Sequence, residues 1–121
     1  MGTFAISLKE NGDYKYTYNN RRGKTLVTSI SYPTKESCYI NIQNLKNDFD
    51  KINFLKLKTT SGKFYFKILL HDNIMCVSRK FTTLLRVEKA ISDIKNYMLQ
   101  SEVLDFTHYS FPDIDFDSTE K

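Results

Sequence analysis

The groups in this 121-residue sequence that could attack, ligate or shuttle a proton are few and scattered. Nucleophilic catalysis needs a Ser or Cys beside a His, with a third group to orient the base. The histidines are His71, in a turn pattern, and His108, in the acidic tail. Neither lies beside a nucleophile motif, and no Gly-x-Ser-x-Gly is present. Cys38 falls in a helical pattern and Cys76 in a strand pattern, with neither a Cys-x-x-Cys partner nor a His at ligand spacing. Both read as reduced, buried thiols in a reducing, cytoplasmic setting. Asp113, Asp115 and Asp117 alternate along the tail but lack the glycine and closing glutamate of a calcium loop. Gly23-Lys24-Thr25 gives the last three residues of a phosphate-binding loop, without its other glycine and followed by a strand pattern. The expectation is a protein with no catalytic residues, no cofactor and no metal.

What remains is charge and aromatic surface. Residues 1–101 carry 17 Lys and Arg against 8 acids, a net of +9; residues 102–121 carry one Lys against six acids. Lys9, Lys15, Lys63 and Lys67 lie on or beside strand patterns and are expected to point away from the helices, making an open sheet face basic and polar. On that face Lys15, Lys63 and Lys67 are candidate phosphate contacts and Tyr65 a candidate exposed aromatic for stacking on bases. The other stripe, Tyr14, Tyr16 and Tyr18, reads as core, because Phe64, Phe66 and Ile68 stand at the matching places and would be costly to expose. The acidic tail reads as solvated chain, with the hypothesis that it lies on the basic face in competition with an anionic ligand or docks in a partner's groove.

The elements that position these groups come in a repeat. Gly12 matches Gly62; Tyr14, Tyr16 and Tyr18 match Phe64, Phe66 and Ile68; Ser29, Tyr32 and Thr34 match Ser78, Phe81 and Thr83; Ile42 and Leu45 match Ile91 and Ile94. Each unit, residues 3–48 and 53–98, reads as three strands and a helix. Strand one alternates Phe4, Ile6 and Leu8 inward, and Leu55 and Leu57 are assigned the inward places in the second unit. Asn11-Gly12 predicts a two-residue hairpin turn, Thr60-Ser61-Gly62 a longer one, and His71-Asp72-Asn73 a turn with Asn73 left-handed. Thr34 and Thr83 are the expected helix N-caps. Cys38, Ile42 and Leu45 form one apolar stripe; Leu84, Val87, Ile91, Ile94 and Met98 form the other. The fold class is α+β, with two tandem β-β-β-α units pairing into an antiparallel sheet and both helices on one face.

The pattern Gly12-x-Tyr-x-Tyr, Gly23, Ser29-x-x-Tyr32-x-Thr34-Lys35 and Ile42, repeated as Gly62-x-Phe-x-Phe, Ser78-x-x-Phe81-x-Thr83 and Ile91, resembles the YegP-like family of small bacterial proteins. The resemblance spans about residues 3–98. It implies two β-β-β-α-β units in one sheet, as tandem copies or as two chains, with last strands that can be exchanged between neighbours. Glu102–Thr107 would then be a final strand and Phe49–Ile52 its shortened equivalent. It implies no activity.

The domain organisation expected is one YegP-like domain over residues 1–108 and an acidic, flexible tail over 109–121. The apolar run Ile68-Leu69-Leu70 is far too short to cross a membrane. Met1-Gly2-Thr3-Phe4 runs into a strand pattern without the features of a signal peptide. The function expected is a non-enzymatic structural or protein-interaction module, whose partner is an unknown protein or a second copy of the chain. The alternative is a nucleic-acid-binding protein that uses the basic open face.

Overall fold

Seven strands and two helices follow one another in the computed structural model, which describes residues 2–110. β1 (Thr3–Leu8), β2 (Tyr14–Asn19) and β3 (Thr25–Ser29) precede α1 (Lys35–Asn47); β4 (Asn53–Lys58), β5 (Phe64–Leu70) and β6 (Asn73–Ser78) precede α2 (Leu84–Tyr97); β7 (Glu102–Ser110) is the last element among the described residues. The strands form one sheet in the order β4-β5-β6-β3-β2-β1-β7. Most neighbours are antiparallel, but β7 runs parallel to β1, so the sheet is mixed where an antiparallel one is expected. A strand that follows α2 and must return beside the first strand enters in the direction of β1, as crossover connections permit. Phe49–Lys51 is a 3-10 turn, not a shortened strand, and Met98–Gln100 forms the same turn ahead of β7. The acidic stretch 111–121 lies outside the described residues.

The turns set the register. Glu10–Gly12, Arg21–Gly23 and Thr60–Gly62 are three-residue loops, each closed by a backbone hydrogen bond from the glycine amide. Each places its glycine at positive φ (91°, 81° and 91°), the arrangement in which a left-handed residue follows a tight turn. The Asn11-Gly12 loop is thus one residue longer than its dipeptide suggests. The β5–β6 turn is shorter: His71 (φ 51°) and Asp72 (φ 66°) are both left-handed, while Asn73 is already in β6, paired with Leu70. One residue fewer here shifts the offset between matched positions from 50 to 49.

Two bulges bury pairs of adjacent residues. Register shifts beside Tyr18 and beside Ile68 leave Leu26 and Met75 as the extra residues. A bulge turns consecutive side chains to the same side, so Leu26 and Val27, and Met75 and Cys76, are all buried. They join Phe4, Ile6, Tyr16, Tyr18, Phe66 and Ile68 from the strands, Cys38, Ile42 and Leu45 from α1, and Val87, Ala90, Ile91 and Ile94 from α2 in one core. Leu84, expected on the buried stripe, is 47% exposed, and Ala90 takes a buried place instead. Thr34 and Thr83 cap the helices, accepting from the amides of Ser37 and Arg86. The Ser29 and Ser78 hydroxyls accept from the amides of Tyr16 and Phe66, both at 2.9 Å. The Tyr32 ring stacks on Tyr16 and the Phe81 ring on Phe66, at interplanar angles of 8° and 7°.

β4 reverses the expected facing. Phe54 packs against Phe66, with ring centroids 5.9 Å apart. Lys56 follows it on the same side and pairs with Glu88 of α2 at 2.8 Å. Leu55 and Leu57 therefore stand on the outer face, opposite Lys67 and Tyr65. An alternating strand has two possible facings, one residue apart, and here the aromatic takes the core.

Candidate interaction surfaces

The two thiols of the core are buried. The Cys76 thiol donates to the Tyr16 hydroxyl at 3.6 Å. Burial pushes the Cys76 thiol up to about 12 and the Cys38 thiol up to about 11. Burial likewise raises Tyr16 far above its ordinary value and Tyr32 to about 12, with neighbouring thiols adding to both. His71 lies in the β5–β6 turn, 3.4 Å from Asp48 at the end of α1. Among the described residues, no three His, Cys, Asp or Glu side chains gather as a metal site would require.

The outer face of the sheet is built by strand pairing. One row crosses all seven strands: Leu104, Ala5, Thr17, Thr28, Val77, Lys67 and Leu55. Residues paired across antiparallel strands share a side, so Tyr65 with Leu57 and Leu69 with Ile74 extend this face. Of the candidate phosphate contacts, Lys15 (on β2, opposite Ser7 of β1) and Lys67 do share it, two ladder positions and three strands apart. Tyr65 is there and half-buried, whereas Lys63 belongs to the β4–β5 loop and is exposed. The C-terminal half of this face is not the basic, polar surface expected. Lys67 sits among Leu55, Val77, Leu69 and Ile74, with Leu55 44% and Ile74 40% exposed. The reversed facing of β4 is the cause, since it delivers two leucines to the outer side of the sheet.

Positive charge concentrates elsewhere, in a cleft of about 390 Å3. Asn20, Arg22 and Lys24 of the β2–β3 loop form one wall. Arg79, Lys80, Phe81 and Thr82, between β6 and α2, form the second, and Arg86, Lys89 and Asp93 of α2 the third. Leu26 and Ala90 make the apolar floor. The bulge at Leu26 aims this side chain into the floor, and the Arg79 amide donates to the Leu26 carbonyl at 3.2 Å. The Arg79 guanidinium lies over the Phe81 ring, 5.8 Å from its centre. Arg86, Lys89 and Asp93 project together because helical residues three, four and seven apart share a face. Among the described residues, Arg22, Lys24, Lys80, Arg86 and Lys89 form no ion pair; Asp93 is the one acid lining the cleft.

Sequence reasoning did not find this cleft, because its cations come from three segments that only folding unites. A signal was nevertheless present in the repeat. At an offset of 49, Arg79, Lys80, Arg86 and Lys89 match Ile30, Ser31, Ser37 and Ile40. The same places in the two halves differ by four positive charges.

No protein-family model matches the chain. No curated protein matches it either. Among solved structures it is similar to the solution NMR structure of YegP from E. coli, a protein described as of unknown function, at 22% identity and a TM-score of 0.77 over 90% of this chain and 96% of that one. It is also similar to that of a UPF0339 protein from Shewanella oneidensis, at 18% identity and a TM-score of 0.77 over 88% of this chain and 92% of that one. The YegP-like resemblance is therefore shown at the level of fold.

Proposed function

We propose that the chain is a non-enzymatic interaction module, built from two tandem copies of one unit whose helices share the buried face of the sheet. The outer face of its C-terminal half, on this reading, receives another protein chain, a second copy included. The carrying observation is the cluster of Leu55, Leu57, Leu69, Ile74 and Val77 around Lys67 on that face. Scattered surface leucines need no explanation, but a contiguous apolar patch ringed by polar groups is what a protein interface offers. The other half of the same face carries Ser7, Lys15, Thr17 and Thr28 beside Ala5 and Leu104, so the larger apolar cluster lies in the C-terminal half.

A photo-crosslinking residue placed at Leu55 tests the proposal, with Leu99 as an exposed control on the 3-10 turn. The expected result is a discrete adduct that forms from Leu55 and not from Leu99, and that disappears in an Ile74→Glu background. Equal labelling from both positions would count against the reading. Sedimentation velocity across a concentration series then separates a second copy from a foreign partner.

A further inference from the structure

We propose that the basic cleft binds the phosphate backbone of a nucleic acid. This assignment is independent of the outer-face reading and moves nucleic-acid contact from Lys15, Lys63 and Lys67 to a cleft that none of the three lines.

Three observations carry it. First, six cations line one concavity: Arg22 and Lys24 from a hairpin loop, Arg79 and Lys80 from a linker, Arg86 and Lys89 from a helix. Like charges so placed repel one another, and a bound anion relieves that repulsion. Second, the fold does not require them. The corresponding places of the first half hold Ile30, Ser31, Ser37 and Ile40 in the same secondary structure, and that half is equally well formed. Third, acids that could neutralise the cleft are scarce among the described residues. Glu88 is held by Lys56 at 2.8 Å, and Asp93 alone lines the wall.

The geometry favours a polymer over a small anion. Arg22, Lys24, Lys80, Arg86 and Lys89 are all exposed, on long flexible stems. An enclosed phosphate site would bring buried, fixed donors to one point. Exposed cations spread over three walls instead suit a chain of phosphates that meets several of them at once. Three of the six are arginines, whose planar fork matches two phosphate oxygens together. Along α2 the wall from Arg86 to Asp93 is about 10 Å long at 1.5 Å per residue, enough to follow a backbone rather than a single group.

The test is fluorescence anisotropy with labelled single strands and duplexes of DNA and RNA, at low and at moderate salt, on the full chain. Binding that weakens steeply with salt is expected. In the quadruple variant Arg22→Glu, Lys24→Glu, Arg86→Glu and Lys89→Glu, affinity should fall about 100-fold. Its logarithmic salt slope should be shallower by about 0.7 for each single-strand phosphate that the variant no longer neutralises. Circular dichroism checks that this variant folds, and Asp93→Asn, which removes the one acid, should tighten binding several-fold. The variant Lys15→Glu with Lys67→Glu should bind within about twofold of the wild type, because these lysines lie outside the cleft. The proposal is overturned if the wild type fails to bind at low salt, if the outer-face variant is weakened as much as the cleft variant, or if inorganic phosphate competes at concentrations comparable to the strand.

Discussion

Lys35, in the first turn of α1, meets Asp105 on β7 at 3.1 Å, across 70 residues of sequence. The ion pair ties the first helix to the last strand. The Thr107 hydroxyl and amide also donate to Asp105, and with Lys35 they hold its carboxyl at about 2, below its ordinary 3.8. A carboxyl held low when folded binds its proton more readily when unfolded. Its contribution is therefore present above about pH 4 and disappears as the pH falls from about 4 to about 2. Asp105→Asn should remove that part of the acid dependence. Denaturant midpoints of the two proteins, measured from pH 2 to pH 6, should converge at the acid end; parallel curves would show that Asp105 contributes nothing.

Cys38 and Cys76 are both fully buried, with thiols raised to about 11 and 12. The thiolate is the reactive form, so neither should react with a disulfide reagent at neutral pH until the chain unfolds. Two thiols should then titrate together in denaturant. Rapid modification of either one in the native protein would contradict the packing described.

Asp72 holds a left-handed conformation at φ 66° in a two-residue turn. Glycine adopts that conformation without the steric cost of a Cβ. Asp72→Gly is expected to stabilise the fold by about 1 kcal/mol, visible as a higher melting temperature. Asn73→Gly, one residue on and inside β6, should do the opposite, because glycine weakens a strand. If Asn73→Gly stabilised instead, the turn would be misplaced by one residue.

Ser78 is buried and accepts from the Phe66 amide, while Ser29 accepts from the Tyr16 amide at a more exposed place. Removing the acceptor leaves a buried amide unpaired. Ser78→Ala should cost about 1–2 kcal/mol, and Ser29→Ala less, since water can reach that site. Equal costs in urea unfolding would mean that burial does not separate the two.

Neutralising single cleft cations should not destabilise the protein. Arg86→Gln or Lys89→Gln relieves repulsion among exposed like charges, so the melting temperature should hold or rise slightly at low salt. The difference should vanish near 1 M salt, where screening acts within about 3 Å. A clear drop in stability would assign these residues to the fold.

Much of this architecture is determined locally and was legible in the sequence. The Thr34 and Thr83 caps, the Cys38-Ile42-Leu45 stripe and the burial of Tyr16 and Tyr18 follow from short-range chemistry: a hydroxyl beside free amides, a 3.6-residue period and the cost of exposing an aromatic. Ser29 and Ser78 each accept from a strand amide, and Tyr32 and Phe81 each stack on a core ring, because similar short sequences meet similar local constraints. Tertiary structure decided the rest. The facing of β4 depended on whether Phe54 or Leu55 found room beside Phe66, and alternation alone permits both. Leu26 and Met75 are buried because bulges add a residue that no strand period anticipates. The parallel seating of β7 on β1 joins segments about 100 residues apart. The cleft exists only because a hairpin loop, a linker and a helix converge, and local sequence carries no term for charges that meet across three such segments.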